Sequence, residues 1–563
     1  MTLIFRCASH VAAAAAVTLI ACAAGRAAAQ GTAPAVAAPD RYGAETGAEI
    51  LGAGGNAADA AVAIAFTLAV TYPEAGNLGG GGFATVLFDS KADFLDYRER
   101  APASAEVGMY LDAAGKVIPD ASTVGAGASG VPGTVAGLWE LHRRFGRLTW
   151  QADLAPAIRY AERGFHVDRM LVETRDRRGA ALHGRTNFLI YFGALADGAT
   201  LRQPELAETL KRIAADGLRG FYAGRTAELL VAEMARSHGH IAAADLEAYR
   251  AVWRKPLEGE WAGYHVITAP LPSSGGIVLL SMLAMKADLA PAFAGVPLNS
   301  AQYVHLVAEI EKRVFADRAS YLGDPDFAAA PVAQLLEPAY LARRAAEVNP
   351  ERPTPTADVT PGLAPHHHTT HFSVIDSFGN AVSNTYTLND DFGSGQVVTG
   401  AGFLLNNEMD DFSVKPGVPN IFGVIGGDAN AIAPGKRPLS TMTPTILTQH
   451  RRVAVVIGTE GGPSIATQLF QVLTNWRDFH MSLNSAVAAP RVHHQLLPAD
   501  TLIEEPYAML EPTVRTALVA RGYQFVNRGW NGDVQAIVVA GRREVAISDP
   551  RGRGVARVLS PAP

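Results

Sequence analysis

Apolar and polar positions alternate differently in the two halves of the chain, predicting mainly helices first and mainly strands later. Asn56 is a natural N-cap with Asp59 in the first turn, and the apolar stretch that follows to Val70 predicts a buried helix. Gly79 to Gly82 lead into Phe83 to Asp89 and Phe94 to Tyr97, which read as a hairpin turning at Ser90-Lys91. From Val131 to about Leu218 the period becomes helical: Ala136, Leu138, Trp139 and Leu141, then Leu154, Ala157, Ile158 and Ala161, recur at steps of three and four. Two more helical patterns, about 300–321 and 339–348, lead into a polar, Pro-rich boundary at 349–365. Beyond Thr369, Phe372, Val374 and Ile375, then 381–388, 453–457 and 534–539, read as short strands. Stacked sheets covered by helices on both sides give an α+β fold, an αββα sandwich to which both halves contribute.

Composition narrows the chemistry. With 48% hydrophobic and 18% charged residues, the 563-residue chain has a globular rather than a disordered balance. Its length allows about three to five modules or one large multilayer domain. A net charge of −6 gives no basic footprint for nucleic acid or an anionic membrane. The two cysteines, Cys7 and Cys22, both precede the body, so a nucleophile there must be another residue type. At the N-terminus Arg6 precedes an apolar run from Val11 to Ala24, and Ala27-Ala28-Ala29 offers cleavage before Gln30, the pattern of a secretory signal over residues 1–29. The run is shorter than the roughly 20 residues of a membrane span. Leu19-Ile20-Ala21-Cys22 offers a second processing pattern, lipidation of Cys22, and either route implies export to the periplasm or beyond. Gly31 to Pro39 reads as a mobile Ala/Pro-rich leader.

Several familiar chemistries do not fit. The tetraglycine Gly79 to Gly82 lacks the spacing of a phosphate loop and opens a strand, so it reads as a structural or ligand-lining turn. His366, His367, His368 and His371 look like a metal cluster, but three consecutive residues cannot all face one ion, and no metal or organic cofactor is expected. Neither a G-x-S-x-G elbow nor an H-E-x-x-H pair is present.

The informative segments are 368–376, 385–389, Asn406 to Ser413, Lys436 to Met442 and Gly461-Gly462, with Asn77 to Phe83, Tyr97 to Pro102 and Val131 to Gly137 upstream. In order and spacing they resemble the gamma-glutamyltranspeptidases, also called glutathione hydrolases, of the N-terminal-nucleophile hydrolase superfamily. The resemblance covers nearly the whole chain after the leader. It implies a four-layer αββα sandwich formed jointly by two subunits. These arise when a proenzyme cuts itself between His368 and Thr369, into a large subunit (30–368) and a small one (369–563). A chain-terminal Thr supplies both a hydroxyl nucleophile and an α-amine with a pKa of about 7.7–8.0 to take its proton. By resemblance, Thr387 orients Thr369, and the N–H groups of Gly461 and Gly462 form the oxyanion hole. Arg98, Ser440 and Thr441 bind the substrate α-carboxylate, while Asp411, Asn389 and Glu408 bind its ammonium. The implied partners are gamma-glutamyl donors such as glutathione and amino acid or dipeptide acceptors.

Two departures from the family pattern stand out. Thr441 replaces a frequent Ser, adding a methyl, and Phe422, in the lid segment 416–427, replaces a Tyr and so cannot donate its hydrogen bond. Two rivals remain: a cephalosporin or glutaryl acylase of the same superfamily, which needs no ammonium pocket, and a noncatalytic periplasmic binding protein on the same fold.

Overall fold

The computed structural model describes residues 32–360, 370–424, 426–527, 532–541 and 543–560. Two antiparallel sheets form its centre. In chain order the strands are β1 (Ala35–Ala38), β2 (Gly81–Phe88), β3 (Lys91–Tyr97), β4 (Val252–Arg254), β5 (Leu257–Trp261), β6 (Tyr264–Thr268), β7 (Thr370–Ile375), β8 (Ala381–Thr387), β9 (Thr445–Gln449), β10 (Arg452–Gly458), β11 (Gln535–Ala540), β12 (Arg543–Ser548) and β13 (Val555–Val558). The seven-stranded sheet runs β13-β1-β7-β8-β2-β3-β4, and the six-stranded sheet runs β12-β11-β10-β9-β6-β5. Both sheets draw strands from either side of residues 349–365, so the polar, Pro-rich stretch does not divide the chain into separately folded bodies.

The sheets stack through small and β-branched side chains: Ala35, Ala37, Ile375 and Ala381 meet Ile267, Ile446, Val456 and Ile537. Hydroxyls bridge the same interface, Thr85 Oγ1 donating to Pro444 O at 2.7 Å, Ser373 Oγ to Gln535 O at 3.0 Å and Ser383 Oγ to Ile457 O at 3.1 Å. Helices α1 (Arg41–Gly52), α2 (Ala57–Thr71), α3 (Thr134–Phe145) and α4 (Trp150–Arg163) cover the first sheet. Helices α5 (Gly275–Asp288), α6 (Ala301–Tyr321) and α7 (Ile465–Asp478) cover the second, completing the αββα order. The α2 cap is the expected one: Asn56 and Asp59 form a reciprocal capping box. All fifteen residues of α2 are buried, because its many alanines let neighbours approach from every side.

Two expectations are corrected. Ala35 to Ala38 lie within the stretch read as a mobile leader, yet they form a fully buried strand paired on both edges, with β13 and β7. An alanine run has no amphipathic period to announce a strand, and its burial is decided by the sheets around it. The β2–β3 hairpin turns at Asp89-Ser90 rather than Ser90-Lys91, with φ of 50° and 60°. A two-residue turn with both central residues in the left-handed region matches the strand twist, and Asp tolerates that region.

The inter-sheet contact makes a stability prediction. Ile446→Ala, which opens a void between the sheets, costs about 2–5 kcal/mol. Equilibrium urea unfolding should show an earlier transition, while Ile190→Ala, at a side chain 83% exposed, leaves the midpoint in place.

Candidate functional site

Arg98 follows the end of β3, where its backbone N–H donates to Asp96 Oδ1 at 3.0 Å and its carbonyl accepts from Tyr249 Oη at 2.7 Å. Its guanidinium is fully buried. One terminal nitrogen pairs with Glu408 Oε1 and the other with Asp411 Oδ2. Nε reaches Pro438 O at 3.2 Å, and the nitrogen on Asp411 also reaches Leu439 O at 3.3 Å. Glu408 to Asp411 form a single 3₁₀ turn. Residues three apart eclipse in that geometry, which explains why the first and last carboxylates both face Arg98. Glu99 adds a third buried carboxylate, 3.6 Å from Arg98. Burial pushes the Glu99 carboxyl up to about 7 and Glu408 to about 8, and holds Asp411 well above the carboxylate range, with Arg98 pulling all three the other way. Hydrogen bonding between Glu408 and Asp411, and between Glu99 and Glu408, works against that rise.

The remaining described candidates lie on segments that adjoin this cluster, Asn389 bonding Asn407 beside Glu408 and Ser440 following Leu439. Thr387 ends β8, and its hydroxyl accepts from the Asn389 N–H at 2.7 Å. Asn389, at φ 82°, donates through Nδ2 to Asn407 O at 3.0 Å, and its buried Oδ1 has no hydrogen-bond partner among the described residues. Ser440 holds the other side: its N–H donates to Pro272 O at 2.8 Å, and its carbonyl accepts from the N–H and hydroxyl of Ser274 at 2.8 and 2.7 Å. Thr441 Oγ1 donates to Gly462 O at 3.1 Å, tying this segment to the glycine turn. Gly461 and Gly462 occupy the step from β10 to α7 with φ of 126° and 58°. A Cβ on Gly461 would stand 2.3 Å from Gln468 Nε2, so both the backbone angle and the space demand glycine there.

His368 and Thr369 lie outside the described residues. Thr370 is the first residue of β7, which pairs with β8, the strand that Thr387 ends. The tetraglycine packs backbone on backbone beside Thr387: a Cβ on Gly80 would stand 1.9 Å from Thr387 O. Asn77 Nδ2 donates to that carbonyl at 2.8 Å, and its Oδ1 accepts from the Gly80 N–H at 3.0 Å. The expectation of a structural or lining turn is met.

Four residues gain parts that the motif reading did not give them. Glu99 completes the carboxylate ring around Arg98, a position that beside an arginine reads as a surface ion pair. Arg318, fully buried on α6, donates through Nε to Ser274 Oγ at 2.6 Å and sits within the field of Asp411. Asn406 grips both loops of the site, through Gly79 O at 2.7 Å and Gly130 O at 2.8 Å. Asp410 anchors the 416–427 segment, its Oδ2 accepting from the Ile421 N–H at 3.0 Å while Oδ1 accepts from Ser122 Oγ at 2.6 Å. Phe422 in that segment is buried, and its carbonyl accepts from Gln495 Nε2 at 3.2 Å.

His371, the described histidine of the set whose metal binding the sequence argued against, is buried between Thr385 Oγ1 at 2.9 Å and Ser373 Oγ at 3.0 Å. Burial pushes its pKa down to about 3, so it acts as a neutral hydrogen-bonding core residue. Asp59, His142 and Asp153 also bring ligand-type atoms within 4.8 Å of one another. The Asp59 oxygens, however, already accept from the N–H groups of Asn56, Arg147 and Leu148, and His142 Nδ1 lies 2.9 Å from Asp153 Oδ2. Helix capping and one hydrogen bond account for that group. Among the described residues no helix is long and apolar enough to cross a membrane.

The raised carboxyls set the sign of a pH effect. Glu99 and Glu408 hold a proton in the folded chain at pH values where the unfolded chain has lost it, so their stabilising contribution is complete below the ordinary carboxyl range and drains as pH rises through 7–8. Calorimetry between pH 6 and 9 should show a falling melting temperature. Glu408→Gln should reduce the slope by up to about 1.4 kcal/mol per pH unit below pH 8, and an unchanged slope would contradict the assignment.

Comparison with known proteins places this geometry. The family model described as Gamma-glutamyltranspeptidase matches residues 43–559. A glutathione hydrolase proenzyme of Pseudomonas aeruginosa is 60% identical over 528 residues, 94% of this chain and 95% of that protein. Among solved structures, the gamma-glutamyltranspeptidase of Pseudomonas nitroreducens complexed with L-DON is 57% identical with a TM-score of 0.57, covering 58% of this chain and 97% of that one. Cephalosporin acylase from Bacillus halodurans is 27% identical with a TM-score of 0.81, covering 94% and 97%. With a family match over most of its length and a relative this similar across nearly all of both chains, this protein belongs to the gamma-glutamyltranspeptidase family.

Proposed function

We propose that this protein is an autoprocessed gamma-glutamyltransferase and glutathione hydrolase. The observation that carries the reading is the buried Arg98 guanidinium, set against the Glu408 and Asp411 carboxylates and joined through Ser440, Thr441 and Asn389 to the Gly461-Gly462 turn and Thr387. A gamma-glutamyl head carries an α-carboxylate and an α-ammonium, and a site built from one fork-shaped cation and several carboxylates answers both charges. On entry the substrate carboxylate takes over part of the guanidinium, with the hydroxyls of Ser440 and Thr441, and the ammonium goes to Asp411, Glu408 and Asn389.

Maturation comes first. The Thr369 hydroxyl oxygen attacks the carbonyl carbon of His368, and the amide nitrogen leaves with the hydroxyl proton, giving an ester and a free α-amine. Water then adds to the ester, and the C–O bond breaks to release the His368 carboxylate and restore the Thr369 hydroxyl. The products are a large subunit, 30–368, and a small subunit, 369–563, which stay paired. In turnover the freed amine takes the hydroxyl proton, directly or through water, while Thr387 aims the oxygen. The N–H groups of Gly461 and Gly462 receive the tetrahedral oxyanion, where one such donor is worth roughly 2.7–4 kcal/mol of barrier. The leaving amine departs protonated, and the gamma-glutamyl ester passes to water or to the amine of an acceptor. Residues 1–29 direct export, and the route through Cys22 would add a lipid anchor. In the lid segment, the Ile421 N–H is held by Asp410, which supplies an anchor where Phe422 has no hydroxyl.

The acylase reading draws on the cephalosporin acylase likeness. A glutaryl head has no ammonium and leaves Asp411 and Glu408 unanswered. Kinetics with matched gamma-glutamyl and glutaryl anilides distinguish the two, and preference for the glutaryl compound overturns the proposal. Thr369→Ala should give a folded single chain without activity, and normal two-subunit processing in that variant would place the junction elsewhere. Arg98→Lys should lower kcat/KM at least tenfold while leaving the extent of processing unchanged, because the head-group pocket and the scissile peptide are separate.

A further inference from the structure

The chain ahead of the proposed junction is held by a buried polar clamp on α6. Glu309, Lys312 and Arg313 lie on this helix, almost completely out of solvent. Lys312 Nζ donates to Thr354 O at 2.9 Å and pairs with Asp500 Oδ1 at 3.0 Å and Glu309 Oε1 at 3.1 Å. Arg313 donates to Thr354 Oγ1 at 2.9 Å and to the Glu347 carbonyl, and pairs with Glu309 Oε2 at 2.9 Å. The Thr354 N–H donates to Glu309 Oε1 at 3.2 Å. Nearer the start of the helix, His305 Nε2 lies 2.9 Å from Asn349 O, and Gln302 Nε2 donates to Pro350 O at 2.8 Å. The far jaw belongs to the second half of the chain: Thr356 Oγ1 both donates to Asp500 Oδ1 at 3.2 Å and accepts from the Asp500 N–H at 3.1 Å, and Tyr523 Oη lies 2.9 Å from His305 Nδ1.

Burying a lysine and an arginine costs desolvation that an apolar helix face would avoid, so stability alone is a poor reason for the arrangement. What the charges do hold is main chain. Three successive stretches, at Glu347, Asn349-Pro350 and Thr354, give carbonyls to α6, and the last is also gripped through its N–H and side chain. We infer that Lys312, with Glu309, Arg313, Thr356 and Asp500, is a positioning element for the self-cleavage between His368 and Thr369, acting on maturation and not on turnover. The inference rests on the function proposed above.

The physical argument concerns alignment. An intramolecular acyl shift has no substrate-binding energy to orient its reacting atoms; the folded chain on either side must do it, and a displacement near 1 Å can cost about a hundredfold in rate. Downstream, Thr370 to Ile375 are fixed in the sheet as β7. Upstream, the described chain is held by the part-buried bonds of the clamp at Thr354 and Thr356, with Arg344 reaching Thr360 O at 3.5 Å beyond them. Chain length itself is a weak lever, since closure entropy grows only logarithmically with loop length, so the direction in which the clamp delivers the chain is what counts. Once the peptide is cut, Thr369 loses its covalent link to the clamp, and the clamp's influence on it ends.

The test follows the appearance of the two polypeptides with time in full-length protein. Lys312→Met should slow processing at least tenfold and Thr356→Val by about threefold, while Thr356→Ser restores the wild-type rate. The small amount of mature enzyme that each variant eventually yields should keep kcat/KM within twofold of wild type. Melting of the same substitutions in the uncleavable Thr369→Ala chain shows whether the precursor folds. If Lys312→Met unfolds it, the Thr356 pair decides. Wild-type processing rates in both Lys312→Met and Thr356→Val overturn the inference, as does a loss of kcat/KM equal to the loss in processing rate. A wild-type chain that never separates into two polypeptides would instead overturn the underlying functional reading.

Discussion

A guanidinium taken wholly out of water has to be surrounded by acceptors, and much of this molecule is arranged around that requirement at Arg98. The acceptors come from a segment more than three hundred residues away, so satisfying one side chain fastens the end of β3 to the 3₁₀ turn at 408–411 and to the Pro438-Leu439 carbonyls. The excess of carboxylates is equally consequential. Three of them crowd one cation, and burial pushes their carboxyls upward. Such a cluster of charges suits a ligand that brings a positive group together with a carboxylate of its own.

The sandwich makes this pocket possible by delivering its components at fixed spacing. Strands β7 and β8 are neighbours, so the start of one and the end of the other lie side by side, and the glycine turn leaves β10 of the facing sheet. Hydroxyls rather than aliphatic side chains bridge the sheets at several points, which holds their relative register through directional bonds. The Asn77, Asn389 and Asn406 side chains then stitch loops to strand ends, each using an amide to satisfy main-chain groups that a loop would otherwise leave bare.

Elements whose reasons are local were legible in the sequence. The Asn56–Asp59 cap, the long helix from Ser300, and strands β7, β8, β10 and β11 fall where periodicity and capping chemistry put them. Strand β1 was not, because four small residues say nothing about the two strands that enclose them, and the β2–β3 turn moved by one residue because two left-handed residues are needed in succession. For the site, charge and spacing alone would leave Arg98 and Asp411 as solvated surface residues. Only the family resemblance joined them, and the fold then supplied Glu99, Arg318 and Asp410, whose roles arise from burial that no local pattern encodes.

The central claim is that one backbone scission makes the reactive centre, freeing an amine beside a threonine hydroxyl. Intact mass and N-terminal sequence of the separated polypeptides, sampled while activity is recorded, test it most directly. The account predicts a smaller polypeptide that begins at Thr369 and appears in proportion to activity. Full activity in a chain whose residues 368 and 369 remain joined would contradict it.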